Sequence, residues 1–323
     1  MITINPLVSV IVITYNSSEY VIDTLDSIYH QTYENIELIV TDDKSEDHTL
    51  GLVQDWAEKH KQRFRRIEII SGPLNTGIPA NCNRGVKKSD GEWVKIIAGD
   101  DILSYSCVDS FIAEIENNSD MRFIASDMDY INADGEIVDN NDFKYNAIRG
   151  YFFSLNSEEQ LKLYARLPLF LNSPSFFIHK PTLQSINYFD EEFRIYDDLP
   201  LIFKILEKGI RIDYIGKKTV KYRIYENSLS RTSNKAKSTI RIREQTGCFK
   251  KYRKKYLRRL NLIDLAVIYD FWLDHSYRGV FGFKGLPLLY LINFYQNYLN
   301  CIAKRYKKTD TLSASGYQQQ VNQ

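Results

Sequence analysis

The segments IELIVTDD (Ile36 to Asp43) and EWVKIIAGDD (Glu92 to Asp101) share one pattern, a β-branched apolar run that closes on a pair of aspartates. Each run, Ile36 to Thr41 and Trp93 to Ala98, reads as a strand buried on both faces of a parallel sheet. Asp42-Asp43 and Asp100-Asp101 then fall at strand carboxyl ends, the edge where open α/β sheets bind ligands. Two unit charges ~4 Å apart repel by about 4 kcal/mol at an effective dielectric of 20. Two acid pairs on one rim therefore require a positive partner, and a divalent cation, Mg²⁺ or Mn²⁺, carrying a diphosphate would supply it.

Outward from these runs, Leu7 to Thr14 (LVSVIVIT) is almost continuously apolar and predicts a central strand. Ser17 or Ser18 is placed to cap a helix from Glu19 to His30. Asp47 to Lys61 reads as a helix, Arg66 to Ile70 as a strand and Pro79 to Lys88 as a helix. Strands and helices alternating in this way imply βαβ units and a mainly parallel, Rossmann-like sheet flanked by helices. Further on, a helix is predicted over Tyr105 to Glu116, a strand over Arg122 to Ser126 and a hairpin turn at Asn132-Ala133-Asp134-Gly135. Leu169 to His179 looks extended, Leu199 to Lys208 helical with a stop at Gly209, and the chain helical again from Lys235.

Composition bounds the class. Of 323 residues, 44% are hydrophobic and 26% charged, which describes a water-soluble globular chain rather than a disordered or membrane-spanning one. Cys82, Cys107, Cys248 and Cys301 are widely spaced, so no disulfide framework or zinc site is expected, and the five histidines form no metal-binding pair. The first residues, MITINPLVSV, do not resemble a secretory signal, which makes the cytoplasm the expected location. The net charge of +1 conceals a division: residues 1 to 216 hold 20 Lys and Arg against 35 Asp and Glu, residues 217 to 308 hold 22 against 5. The acidic front suits a cation. The basic rear, with FKKYRKKYLRR from Phe249 to Arg259, suits an anionic membrane surface, although a solvated helix face explains the same charges. No nucleic-acid reading module accompanies it. The aromatic stretch from Gly285 to Ala303 is interrupted by Asn293, Gln296, Asn297 and Asn300, so interfacial packing and a helical-hairpin core both fit it. The Ser-, Gln- and Asn-rich tail from Thr309 predicts disorder.

Taken together, VSVIVITYN (Val8 to Asn16), IELIVTDDKSEDHT (Ile36 to Thr49), NTG (Asn75 to Gly77), SDGEWVKIIAGDD (Ser89 to Asp101), FDEEFRIYDDLPLIFKIL (Phe189 to Leu206) and KYRIYENSLS (Lys221 to Ser230) resemble, in order and spacing, the inverting glycosyltransferases of family 2. The resemblance implies a GT-A-like α/β domain over residues 1 to 225. A basic helical extension follows over 226 to 308, with the tail at 309 to 323. It implies a UDP- or dTDP-sugar donor and, as acceptor, a glycan hydroxyl such as that of a lipid-linked precursor in bacterial surface polysaccharide biosynthesis.

By the same resemblance Thr14, Tyr15 and Asn16 hold the base and ribose, and Asp43 accepts the imide N–H of the pyrimidine, an acceptor-only carboxylate being suited to that donor. Tyr15 covering the sheet edge and Asp42 bracing its loop are the structural alternatives. Asn75 shapes the next donor loop, and Arg84 reaches a phosphate or faces water. Asp100 lies near the ribose or metal-bound waters, and Asp101 is the expected metal ligand. The family pattern acid-x-acid-acid is broken by Ala98, leaving fewer carboxylates for the cation. Asp198 is the expected general base, with Asp197 beside it where the family usually has Glu; a helix cap is the alternative role. Arg223 is expected on the diphosphate, Tyr225 stands where the family often has His, and Ser173 to Ser175 fall on the acceptor side. Two other readings fit an acidic site on an α/β sheet: a sugar-1-phosphate nucleotidyltransferase, although TYNSSEY follows the first strand in place of a Gly- and Arg-rich loop, and a nucleotide-sugar-binding subunit without turnover.

Overall fold

A computed structural model describes residues 5–138, 146–166, 171–225, 235–257 and 264. The sequence readings for residues 226–234, for Gly285 to Ala303 and for the tail from Thr309 lie outside them. The chain forms two compact units, Met1–Asp139 with Phe170–Gln245, and Asn140–Leu169 with Thr246–Gln323.

The first unit is built on an eight-stranded sheet. Its strands are β1 (Val8–Thr14), β2 (Ile36–Asp42), β3 (Ile67–Ser71), β4 (Trp93–Ala98), β5 (Ile102–Leu103), β6 (Phe123–Ile131), β7 (Phe176–His179) and β8 (Asp213–Arg223), in the order β3-β2-β1-β4-β7-β6-β8-β5. β3, β2, β1 and β4 run parallel, as the alternating pattern predicts, and β1 is central among them with Val8 to Val12 buried. The other half is mixed: β7 is antiparallel to both β4 and β6, β6 is parallel to β8, and β5 is antiparallel to β8.

Helices α1 (Val21–Tyr29), α2 (Thr49–His60), α3 (Ile78–Lys88) and α4 (Cys107–Asn117) connect the early strands, close to their predicted ranges. α3 packs tightly on the side chains of the sheet. A Cβ at Gly85 would stand 2.4 Å from Ile11 Cγ2, so only glycine permits that approach. α1 corrects one detail of the sequence reading. It starts at Val21, the Ser17 carbonyl accepts from Tyr20 N and Val21 N, and no side chain caps it. The Ser17 and Ser18 amides instead donate to Thr49 Oγ1 and Asp47 Oδ2, which docks this loop on the start of α2.

Within the parallel half, one buried carboxylate of β2 joins three segments. Glu37 accepts from Ser9 Oγ at 2.5 Å, from Asp90 N at 2.5 Å and from Gly91 N at 2.9 Å, and pairs with Arg66 at 2.8 Å. Burial alone would raise its pKa, but these donors together hold it below the usual carboxylate range. After β6, the predicted turn forms at Asn132 to Gly135, with Gly135 at φ 82°. After β7 come α7 (Lys180–Ser185) and α8 (Asp198–Glu207), which ends before Gly209 at φ 78°.

The second unit contains α5 (Asn146–Ser154) and α6 (Ser157–Arg166). Arg253 donates to the carbonyls of Ala165 and Arg166, and Arg166 pairs at 2.7 Å with Asp264, which is fully buried. α9 (Lys235–Cys248) runs from the first unit's final residues into this one.

Candidate active site

The parallel strands β1, β2 and β4 end level with one another, Thr14 beside Asp42 and Ile13 beside Ala98. The loops leaving them are stitched together: Asp43 N donates to Thr14 O and Gly99 N to Ile13 O, each at 2.9 Å. Asn16 and Lys44 take left-handed φ values of 51° and 68°, turning the chain sharply just past the strands. Asn16 fits this because its amide reaches Ser45 Oγ while its own Oδ1 accepts from Glu46 N. Tyr15, just before Asn16, is 46% exposed at this strand end.

The first acid pair divides its work. Asp42 is buried and accepts from Thr14 Oγ1 (2.9 Å), Ser45 N (2.8 Å) and Ser45 Oγ (2.5 Å), the bracing role considered for it. Asp43, also buried, takes four internal donors: Thr76 N at 2.9 Å, Thr76 Oγ1 at 2.7 Å, Gly77 N at 2.7 Å and Arg84 Nη2 at 3.2 Å. A carboxylate has about four lone-pair positions. A base imide binding Asp43 therefore has to share or displace one of these donors. Arg84 faces Asp43 and neither phosphate nor open water was needed to engage it. Asn75, in the same loop, receives Arg194 Nη2 on its carbonyl (3.0 Å) and on Oδ1 (2.8 Å).

In the second acid pair Asp101 is buried and Asp100 half-buried, with Arg223 and Lys95 as the cationic side chains near Asp101. Asp101 is inaccessible, accepts Arg223 N on Oδ1 at 2.9 Å, and leaves Oδ2 without a hydrogen-bond partner. Burial, and then the neighbouring charge of Asp100, raise its pKa well above the usual value. Asp100 is raised as well, chiefly by burial, while Tyr225 OH, donating to Oδ2 at 3.1 Å, works against the shift. An orphaned buried carboxylate oxygen beside a second carboxylate fits a divalent cation, which carries the missing charge and accepts hard oxygen ligands. Only two protein carboxylates are offered: Ala98 supplies none, and among the described residues no group of three or more His, Cys, Asp or Glu stands within ligating reach.

Arg223 departs from its expected place on a diphosphate. It is 2% exposed, and its guanidinium donates to the carbonyls of Asp100 (2.8 Å), Asn132 (3.4 Å) and Ala133 (2.7 Å) and to Asp23 Oδ2 (3.1 Å). The guanidinium also stacks 4.4 Å from the Tyr20 ring, whose other neighbour is Tyr225 at 5.3 Å. With its fork occupied in this way, Arg223 braces the Asp100-Asp101 loop.

Asp198 opens α8. Its Oδ1 accepts Leu199 N at 2.6 Å, and Asp197 before it makes no side-chain cap bond, so neither acid performs the ordinary capping job. Burial first, and the Asp197 charge second, push Asp198 up to about 7. Asp197 is itself raised by burial, partly offset by a hydrogen bond from Ser173. Two electrostatic links relate this pair to the other acids. On α3, the buried Cys82 thiol is raised by burial and then by the charges of Asp197 and Asp43, so both acids lie near it. On β4, Lys95 is fully buried, donates to the carbonyls of Pro174 and Phe176, and lies within the field of Asp101. The turn Ser173–Ser175 thus touches both the strand leading to Asp101 and the acid preceding Asp198. The sequence signal for Lys95 was its charge inside an apolar strand. Arg194 and its neighbours gave no such signal.

Comparison with known proteins gives three results. The glycosyl transferase family 2 model matches residues 9–178, just over half of the chain. An uncharacterized glycosyltransferase of Haemophilus influenzae is 35% identical over 126 residues, 39% of this chain and 38% of that protein's length. One of Methanocaldococcus jannaschii is 27% identical over 70% of this chain and 74% of its own. Among solved structures, S. aureus TarS 1-349 in complex with UDP-GlcNAc has a similar fold, with a TM-score of 0.55 and 18% identity over 96% of this chain and 92% of that one.

Proposed function

The chain belongs to glycosyltransferase family 2, and on that premise we propose that it moves a sugar from a UDP- or dTDP-sugar to a glycan hydroxyl, with inversion at the anomeric carbon. The single observation that carries this reading is Asp198, a half-buried carboxyl at a helix start that desolvation and the Asp197 charge push up to about 7. A base is most effective when its pKa lies near the working pH. In the displacement the acceptor oxygen forms its bond to the anomeric carbon as the bond to the diphosphate breaks, and the Asp198 carboxylate takes the hydroxyl proton. No covalent sugar–enzyme bond is needed, so one base and one stabilised leaving group suffice.

Asp101 and Asp100 are the residues that would hold Mg²⁺ or Mn²⁺, which when bound neutralises charge on the departing diphosphate. Tyr15, Asn16 and Thr14 form the base and ribose rim, with Asp43 and Asn75 behind it. A pyrimidine donor is supported by the fold shared with TarS, which has been solved with UDP-GlcNAc. Incubating the protein with a panel of nucleotide sugars and Mn²⁺, and following nucleoside diphosphate release, tests the proposal. Release from one donor supports it; pyrophosphate formed from sugar phosphate and a nucleoside triphosphate, or binding with no turnover, would replace it.

The same proposal assigns residues 1 to 225 to donor binding and catalysis, 226 to 308 to a basic extension and 309 to 323 to a tail. It includes a lipid-linked precursor of a surface polysaccharide as acceptor. No helix among the described residues is long and apolar enough to cross a membrane. Peripheral attachment at an anionic leaflet is supported by Lys250, Lys251, Lys254 and Lys255, all exposed, since each basic residue near such a surface adds about 1 kcal/mol. Sedimentation with phosphatidylserine vesicles that is equal for the native chain and its four-Lys→Glu variant would end that part of the reading.

A further inference from the structure

Ile78 N, at the start of α3, donates to Arg194 O at 2.7 Å, and Arg194 Nη2 returns two hydrogen bonds to Asn75. Gly77 lies so close that a Cβ there would stand 2.5 Å from Arg194 O, with φ at 97°. The loop at 75–78, fixed at its other side by Asp43, therefore presses directly on the segment that leads into Asp198. On the opposite side of that segment is Glu244 of α9. Its Oε1 accepts Arg194 N and its Oε2 accepts Ile195 N, each at 2.9 Å. One carboxylate thus satisfies two consecutive backbone amides, four and three residues before Asp198.

These contacts form a line: Asp43, the loop 75–78, the peptide of Arg194-Ile195, and Glu244. A charged acceptor on two adjacent amides fixes both the position and the rotation of a peptide unit. We propose that Glu244 is a positioning residue for the transfer, holding the Arg194-Ile195 backbone against the donor loop and so setting where Asp198 stands relative to a nucleotide at Asp43. The inference rests on the transferase reading above and extends it to α9, outside the residues matched by the family. It has a corollary: an imide that displaces Thr76 or Gly77 from Asp43 shifts the loop that packs on Arg194, so donor occupancy is transmitted toward the base. Misplacing a catalytic group by about 1 Å costs on the order of 100-fold in rate, so a clamp of this kind is felt in turnover and not in nucleotide affinity.

The test compares Glu244→Ala, Glu244→Gln and, as a neighbouring exposed control, Gln245→Ala in the full chain. UDP-GlcNAc with Mn²⁺ serves as donor and water as acceptor, beside UDP binding by calorimetry and amide hydrogen exchange. Glu244→Ala is expected to lower kcat by about 10- to 100-fold with donor KM and UDP affinity within about twofold. Exchange at Arg194 and Ile195 should rise at least about tenfold, while the strand Ile36–Asp42 keeps its protection. Glu244→Gln, retaining one acceptor, should fall between, and Gln245→Ala should match the native chain. Native kcat in Glu244→Ala, unchanged exchange at 194 and 195, or a loss of melting temperature and UDP affinity that accounts for the fall in rate would each overturn the proposal. A native chain that binds UDP but turns nothing over under the full donor panel overturns the transferase reading itself, an outcome separate from an active native chain that tolerates Glu244→Ala.

Discussion

Asp197 is buried and Asp198 beside it half-buried, and desolvation together with the charge of Asp197 pushes the pKa of Asp198 up to about 7. The isolated value for an aspartate is ~3.9, so burial first, and the neighbouring Asp197 charge second, convert an ordinary acid into a base suited to neutral pH.

Replacing that base should separate binding from chemistry. Asp198→Asn keeps the side-chain volume and one hydrogen-bond acceptor, and a positioned general base contributes about 10²- to 10⁴-fold. The expected result is unchanged UDP affinity by calorimetry with turnover reduced by that factor. Retention of more than about a tenth of native turnover would remove Asp198 from the reaction.

The pH dependence has a defined sign. Asp198 accepts a proton only when ionised, so kcat should be full well above pH 7 and fall as pH drops through about 7. Removing the Asp197 charge by Asp197→Asn should move the acid limb to lower pH, because the like charge that raised the pKa is gone. A limb that stays in place, or moves upward, contradicts the assignment.

Asp101 offers a test without turnover. Its orphaned Oδ2 and raised pKa mean that ionised Asp101 burdens the metal-free protein, and a ligand that binds only the folded state at 100 times its Kd adds about 2.7 kcal/mol. Adding MnCl₂ to the UDP-bound protein should raise the melting temperature of the native chain further and leave that of UDP-bound Asp101→Asn unmoved. Equal shifts in both would place the cation elsewhere.

Glu37 concerns the fold alone. Its folded pKa is depressed, so its stabilisation is present above the unfolded value of ~4.3 and is lost as pH falls through the folded pKa. Glu37→Gln should destabilise by about 3 kcal/mol at pH 7, and the loss should shrink toward pH 3 in denaturant titrations. A variant equally destabilised at both pH values would mean that the carboxylate charge is not what matters there.

The parallel half of the fold was legible because its strands are unbroken apolar runs and its helices are closed by residues with specific backbone preferences. β8 was not anticipated. Gly216, Lys217 and Lys218 interrupt its alternation, and its register with β6 shifts near Asp127. The direction of β7 was equally hidden, since a four-residue apolar strand buried on both faces reads alike either way. In the candidate site, the acids at strand ends followed from their runs. The internal donors to Asp43 and the carboxylate and carbonyls around Arg223 did not, because they come from residues up to 200 positions away. The pairing of Glu244 with 194 and 195 had no sequence signal for the same reason.

Arg223 joins α1 through Asp23, the Asp100 loop, and the hairpin at Ala133 with a single side chain. An alanine scan would therefore score it as indispensable for reasons unrelated to chemistry, and a loss-of-activity phenotype there reports on architecture. Anyone ranking residues of this chain by mutational sensitivity should normalise position 223 to the amount of folded protein before counting it among those that meet the substrate.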